Sequence, residues 1–123
     1  MAGSDYVPLF LSGGEPTYTA AVAITGGQLV YISGDNAVSP TTAATAAWIG
    51  VAAQTVPAGA PVAVYTEGIH MLAASGAIAA GDVVIPAAAG AVATIGDDAV
   101  YTHAVGVATA AAANNQVPVK LTH

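Results

Sequence analysis

The chain has 123 residues, of which 55% are hydrophobic and only 7% charged, against roughly 25% charged in an average soluble domain. That length suits a single core, and that composition excludes disorder driven by charge and low hydrophobicity. One Lys and no Arg stand against seven carboxylates, for a net charge of −6; phosphate-backbone binding needs clustered cations, so nucleic acid is not an expected partner.

The absence of cysteine removes disulfides, thiolate nucleophiles and thiolate metal sites, and leaves the redox compartment open. A mean hydropathy of +0.69 would suit a membrane protein. The longest weakly charged stretch, from Ile69 to Ile95, nevertheless contains His70, Gly76, Gly81, Asp82, Pro86 and Gly90, and a lipid-spanning helix tolerates few of these together. No membrane partner is expected. The start, Met1-Ala2-Gly3-Ser4-Asp5, lacks the positive and apolar regions of a secretory signal, so export by that route is not expected either.

In chain order, Tyr6-Val7-Pro8-Leu9-Phe10-Leu11 comes first, a bulky apolar segment in a chain of small residues. The break Ser12-Gly13-Gly14-Glu15-Pro16 follows it. This reads as an extended N-terminal arm over residues 1–17, with one β-rich domain over 18–123. Short runs of strand length come next: Leu29–Ile32, Ile49–Val51, Val62–Tyr65, Val83–Ile85, Val100–Thr102, Val105–Val107 and Val117–Leu121. They are punctuated by Ser33-Gly34-Asp35-Asn36, Pro57-Ala58-Gly59, Gly96-Asp97-Asp98 and Asn114-Asn115, which is turn chemistry. No 3.6-residue period of large side chains runs through them, so the fold class is mainly β, a small barrel or sandwich. A short helix over Thr41–Ala47 is the one open alternative. In the last run Val117, Val119 and Leu121 share one face, as a half-buried strand requires. Pro118 lacks an N–H, which predicts an edge strand or one that meets its sheet through the other side.

An internal repeat organises the rest. Ile24-Thr25-Gly26-Gly27-Gln28-Leu29-Val30 aligns with Ile78-Ala79-Ala80-Gly81-Asp82-Val83-Val84, and Ala37-Val38 with Ala91-Val92 at the same offset. Ile49-Gly50-Val51-Ala52 aligns with Val105-Gly106-Val107-Ala108, and Pro61-Val62 with Pro118-Val119. Two similar halves, about 20–66 and 74–122, are expected. The repeat reads the Ala108–Ala113 run as a hairpin connection rather than a helix, because its counterpart contains Pro57 and Gly59.

Chemistry-bearing residues are few. Glu67 and His70 are three apart, which in a strand sends them to opposite faces; Asp97-Asp98 reads as a solvated turn before His103, and His123 ends the chain. Ser12, Ser33, Ser39 and Ser75 lack a nucleophile-elbow context, and Gly13-Gly14 and Gly26-Gly27 lack the Lys of a phosphate loop. Gly81-Asp82-Val83-Val84 looks like a lipoyl- or biotinyl-carrier turn, but such domains carry their cofactor on a Lys at a hairpin tip, and Lys120 lies in the terminal strand. No catalytic residue, metal or cofactor is expected. Trp48 reads as a core or subunit-interface anchor. Tyr6, Val7, Pro8, Leu9, Phe10 and Leu11 read as a first strand packed on the core or as an arm docking on another subunit.

From about Tyr18 onward these segments resemble the small bacteriophage capsid cement, or head decoration, proteins. The resemblance rests on Ile24–Val30, Ile49–Ala52, Gly76–Val84 with Ala89-Gly90-Ala91-Val92, and Val105–Ala108 to Val117–Leu121. It implies a β-rich homotrimer made in the host cytoplasm that binds the major capsid protein at junctions between capsomers, on the outer surface of the virion, and it transfers no catalytic residue. Weak charge and missing edge protection independently favour self-association. Two other readings are a glycan-binding β-module of a phage fibre or surface adhesin, presenting Tyr31, Tyr65 and Tyr101, and a small hydrolase using His70 and His103.

Overall fold

Where Gly, Asn and Pro interrupt the Val-rich runs, the chain reverses, and ten short strands result among the described residues. The structure, a computed structural model, describes residues 17–96 and 103–122. Its strands are β1 (Thr17–Ala20), β2 (Leu29–Gly34), β3 (Ala37–Pro40), β4 (Trp48–Ala52), β5 (Pro61–Tyr65), β6 (Ile69–Ala73), β7 (Val83–Pro86), β8 (Val92–Thr94), β9 (Gly106–Ala108) and β10 (Gln116–Leu121). One 3-10 turn, Ala88–Gly90, joins β7 to β8. The first five strands close a barrel in the order β1-β3-β2-β4-β5, and the last five form a sheet in the order β6-β10-β9-β7-β8. The chain is thus mainly β and built from two similar halves.

The likeness of the halves extends to individual pairings. Val30↔Gly50 and Leu29↔Val51 in the first recur as Val84↔Gly106 and Val83↔Val107 in the second. Tyr31↔Ser39 recurs as Ile85↔Ala93, and Tyr18↔Val62 as Leu72↔Val117. The parallel pair Ala20↔Val38 that helps close the barrel survives in the second half as one isolated bridge, Ala74↔Val92. The second sheet is therefore the same barrel with that seam reduced to a single bridge. These registers correct one alignment: Val62 corresponds to Val117, not Val119. A two-residue slip preserves the face of every side chain, so the buried set Val117, Val119 and Leu121 is unaffected.

Matching turns set the halves up locally. Gln28 N–H donates to Thr25 O at 3.1 Å, and Asp82 N–H to Ala79 O at 3.1 Å. Gln28 Oε1 and Asp82 Oδ2 accept from Thr25 N–H and Ala79 N–H, each at 2.8 Å. The third residue of each turn, Gly27 or Gly81, has a φ near +90°, which a Cβ disfavours. Asn114 and Asn115 both have positive φ and reverse the chain between Ala113 and Gln116, the expected use of Asn pairs in a two-residue hairpin.

Two expectations are corrected. β10 is not an edge strand, because it lies between β6 and β9. Pro118 is accommodated because its carbonyl faces the β9 side, accepting from Thr109 N–H at 2.9 Å, just past Ala108, where β9 ends; no ladder donor is needed there. Thr41–Ala47 forms no helix. Instead Thr41 is fully buried and Thr45 Oγ1 accepts from Ala47 N–H at 3.1 Å. Strands β1, β3, β6 and β8 fall outside the runs picked from the sequence, and Thr17, placed at the end of the arm, opens β1. The rest of the arm and the Val100–Thr102 run lie outside the described residues.

The core divides in two. Ala20, Ile24, Val30, Val38, Ala52, Val56, Val62 and Val64 fill the first barrel. The second cluster joins the interior of the second sheet, including Leu72, Val84, Val117 and Val119, to Leu29, Trp48 and Val51 from the first half. A register shift between Val30 and Tyr31 in the β2–β4 ladder lets Trp48 and Val51 face outward together while Ile49 and Ala52 face the barrel interior. Thr41 stitches the halves: its hydroxyl donates to Ala87 O at 2.8 Å, and its carbonyl accepts from Gly90 N–H at 3.0 Å. Replacing Thr41 by Val removes one buried bond at nearly constant volume, with an expected loss of about 1–2 kcal/mol in chemical denaturation.

Candidate interaction surface

The alternation that buries one face of the second sheet leaves the other outward, and there the side chains are unusually apolar. On β6, Leu72 is fully buried while Ile69 and Met71 are 59% and 55% exposed. On β10, Pro118 is half-buried and Lys120 exposed; on β9, Val107 is 40% exposed. Lys120 lies opposite both Ile69 and Val107, and Val107 lies opposite Val83. These four positions make a lateral row across four strands, about 14 Å wide at the usual strand spacing, with Met71 and Pro118 paired beside it. The only Lys or Arg of the chain sits inside this row, where its methylene stem can lie along apolar neighbours with the ammonium in water.

β6 adds a second property. Among the described residues, Ile69–Ala73 is paired on one side only, by β10; its other side meets the sheet through the bridge beyond its end, Ala74↔Val92. An edge strand with exposed apolar side chains invites pairing or packing with another chain. Two clefts of about 360 Å³ each flank it: one lined by Glu67, Gly68, Lys120, Leu121 and Thr122, the other running between the Thr25–Gln28 turn and Met71, Ala73 and Gln116.

Residues singled out from the sequence are placed as follows. Trp48 is 2% exposed within the chain's own second core cluster. Tyr6, Val7, Pro8, Leu9, Phe10 and Leu11 lie outside the described residues, as do Ser12, Gly13, Gly14, Tyr101 and His123. His70 Nε2 donates to the carbonyl of Glu67 at 2.7 Å, and its ring stacks on Tyr65 with centroids 5.3 Å apart; the carboxylate of Glu67 is not what holds it. His103 is half-buried ahead of β9. Ser33 and Ser39 pair with each other at 2.8 Å across the β2–β3 hairpin, and Ser75 is exposed. Gly26-Gly27 forms a turn, and Lys120 lies in mid-strand rather than at a hairpin tip. Among the described residues, no group of three or more His, Asp or Glu could hold a metal ion, and no helix is long and apolar enough to cross a membrane.

Sequence reasoning missed Ile69, Met71 and Val107 as surface residues. One signal could have exposed them: at the position of Met71 the first half carries Thr17, so an apolar residue replaces a polar one at an outward position.

No curated protein matches the chain. Among solved structures, it is similar to the head fiber gp8.5 N base in bacteriophage phi29, at 21% identity and a TM-score of 0.64, over 89% of this chain and 93% of that one; this likeness shows a shared fold. The sequence also matches the phage cement protein family over residues 12–123, which takes in both halves and every strand described above. A mainly β chain with apolar outward strands and that match is a phage structural protein, a component of the virion capsid, and it belongs to the phage cement protein family.

Proposed function

We propose that the protein binds the outer surface of an assembled phage capsid as an oligomer, a trimer by the family resemblance, and stabilises the shell by bridging neighbouring capsomers of the major capsid protein. It transforms no substrate in this reading; its work is mechanical. The observation that carries the proposal is the outward face of β6, with Ile69 and Met71 more than half exposed on a strand that, among the described residues, is paired on one side only. Covering such a strand gains roughly 25 cal/mol per Å² of apolar surface removed from water. Residues 1–14, which contain the Tyr6–Leu11 segment, add apolar contact as an arm ahead of the single β-rich domain. An oligomer engages several sites together, so each bound contact raises the local concentration of the rest. The net charge of −6 suits an outer surface facing basic groups of the shell rather than packaged DNA.

Purified protein mixed with undecorated heads is expected to bind at saturable sites and to raise the temperature at which the heads rupture; well-folded protein that fails to bind overturns the proposal. Deleting residues 1–14 is expected to weaken attachment at least tenfold while leaving the melting temperature of the isolated protein nearly unchanged. An unaltered affinity removes the arm from the mechanism.

A further inference from the structure

At its seam the second half lacks a backbone bond that the first half makes. Thr19 N–H donates to Asn36 O at 2.9 Å, which extends the β1–β3 pairing from Ala20↔Val38 back to Thr19↔Ala37. The matched bridges Ala20↔Val38 and Ala74↔Val92 make Ala73 and Gly90 the equivalents of Thr19 and Asn36. Among the described residues the bond between Ala73 and Gly90 is not made. Both residues instead line the cleft of about 360 Å³ that the Thr25–Gln28 turn of the first half walls on its other side.

The β6–β10 ladder decides which groups of β6 face that gap. Leu121 N–H donates to Gly68 O at 3.0 Å and Ala74 N–H to Asn115 O at 2.8 Å. Antiparallel alternation between those two bonds turns the main-chain groups of His70 and Leu72 toward β10, and those of Ile69, Met71 and Ala73 away from it. The Ala73 carbonyl belongs to the Ala74↔Val92 bridge. The N–H and C=O of Ile69 and Met71 and the N–H of Ala73 are left facing outward along an edge of about 16 Å. The exposed side chains of Ile69 and Met71 stand beside them.

We infer that this edge binds an extended segment of the shell protein as an added β-strand, seated at its Ala73 end in the cleft between the two halves. This deepens, and rests on, the reading that the protein binds the shell. Alternating main-chain donors and acceptors along a strand are matched by another extended backbone, which is how sheet edges capture peptides. Residues of the added strand opposite Ile69 and Met71 share their face, so the segment recognised is one that places apolar side chains at alternate positions. The walls raised by Thr25–Gln28 and Ala89–Gly90 leave room for a single strand but obstruct a folded sheet, which favours a peptide segment over the β6 of a second copy. The first half offers no such site, because Thr19 has closed the seam and Thr17 stands in the place of Met71.

The test is hydrogen exchange, read by mass spectrometry on peptides spanning residues 69–73, in the free protein and in the protein bound to undecorated heads. It is paired with head binding by Met71→Pro. A proline there removes an outward N–H and blocks the edge without removing a bond to β10, so its melting temperature is expected within a few degrees of wild type and its affinity for heads at least tenfold lower. Met71→Thr, which keeps the edge, is expected to lose less. Wild type is expected to exchange rapidly at this edge when free and at least tenfold more slowly on heads, and this comparison decides even where Met71→Pro fails to fold. Wild type that does not bind heads overturns the shell reading itself. Binding with unchanged exchange at residues 69–73 overturns the added strand alone. Slow exchange already present in the free protein overturns it too: protection that falls on dilution assigns the edge to a second copy, and protection lost on deleting residues 1–14 assigns it to the chain's own arm.

Discussion

Replacing Gly106 by Ala is expected to destabilise the protein by about 3 kcal/mol, a large share of the roughly 5–15 kcal/mol that holds a domain together. The backbone conformation of Gly106 is open to any residue; what is missing is space. A Cβ there would overlap the carbonyl oxygen of Lys120 and come within 3.0 Å of Val119 Cγ1. Gly106 is laddered to Leu121 on one side and Val84 on the other, so the overlap is relieved only by parting β9 from β10, at about 1 kcal/mol for each ladder bond lost. Gly50 repeats the situation against the carbonyl oxygen of Tyr65. Urea or thermal unfolding checks it, with an expected drop in melting temperature of about 10 °C for a chain of this size. A loss below about 1 kcal/mol would mean that the strands are not this close.

Trp48→Ala is expected to cost about 3–5 kcal/mol, the range for deleting a buried aromatic side chain. Trp48 packs with Leu29 and Val51 of its own half against the interior of the second sheet, so the cavity opens where the two halves are held together. Denaturation read by circular dichroism tests this, since the variant removes the chain's single Trp and with it the fluorescence signal. Trp48→Phe should recover part of the loss because it refills part of the volume. Unchanged unfolding with a changed oligomeric mass would place the side chain's role between subunits instead of within the core.

Reading the face of β6 from sequence fails for a physical reason. In Ile69-His70-Met71-Leu72, the outward positions carry Ile and Met while the inward ones carry His and Leu, so apolar residues occupy both faces and the two-residue period vanishes. A polar-out strand would have been visible, and a strand that presents apolar side chains outward is not. β1 and β3 escape for a related reason: Thr17–Ala20 and Ala37–Pro40 hold one or two bulky residues each. Their pairing is decided by barrel closure rather than by local pattern. Of the site residues, Trp48 is legible as an anchor by its bulk, while the partner it anchors is not.

Some features follow from the residues alone. The β class, the turns at Gly27, Gly81 and Asn114-Asn115, the inward set Val117, Val119 and Leu121, and the repetition of one half in the other rest on side-chain alternation and on positive-φ residues. Both act within a few positions of the chain. Tertiary structure decided the remainder: that β10 is flanked by β6 and β9 with Pro118 beyond the end of the β9 ladder, that the seam closed in the first barrel is a single bridge in the second, and that Leu29 and Val51 are buried while their equivalents Val83 and Val107 are half-buried and exposed. Each of those outcomes depends on contacts between residues far apart in sequence. Two equivalent segments with nearly the same local pattern therefore end in different surroundings, because only one of them has a second half to lie against.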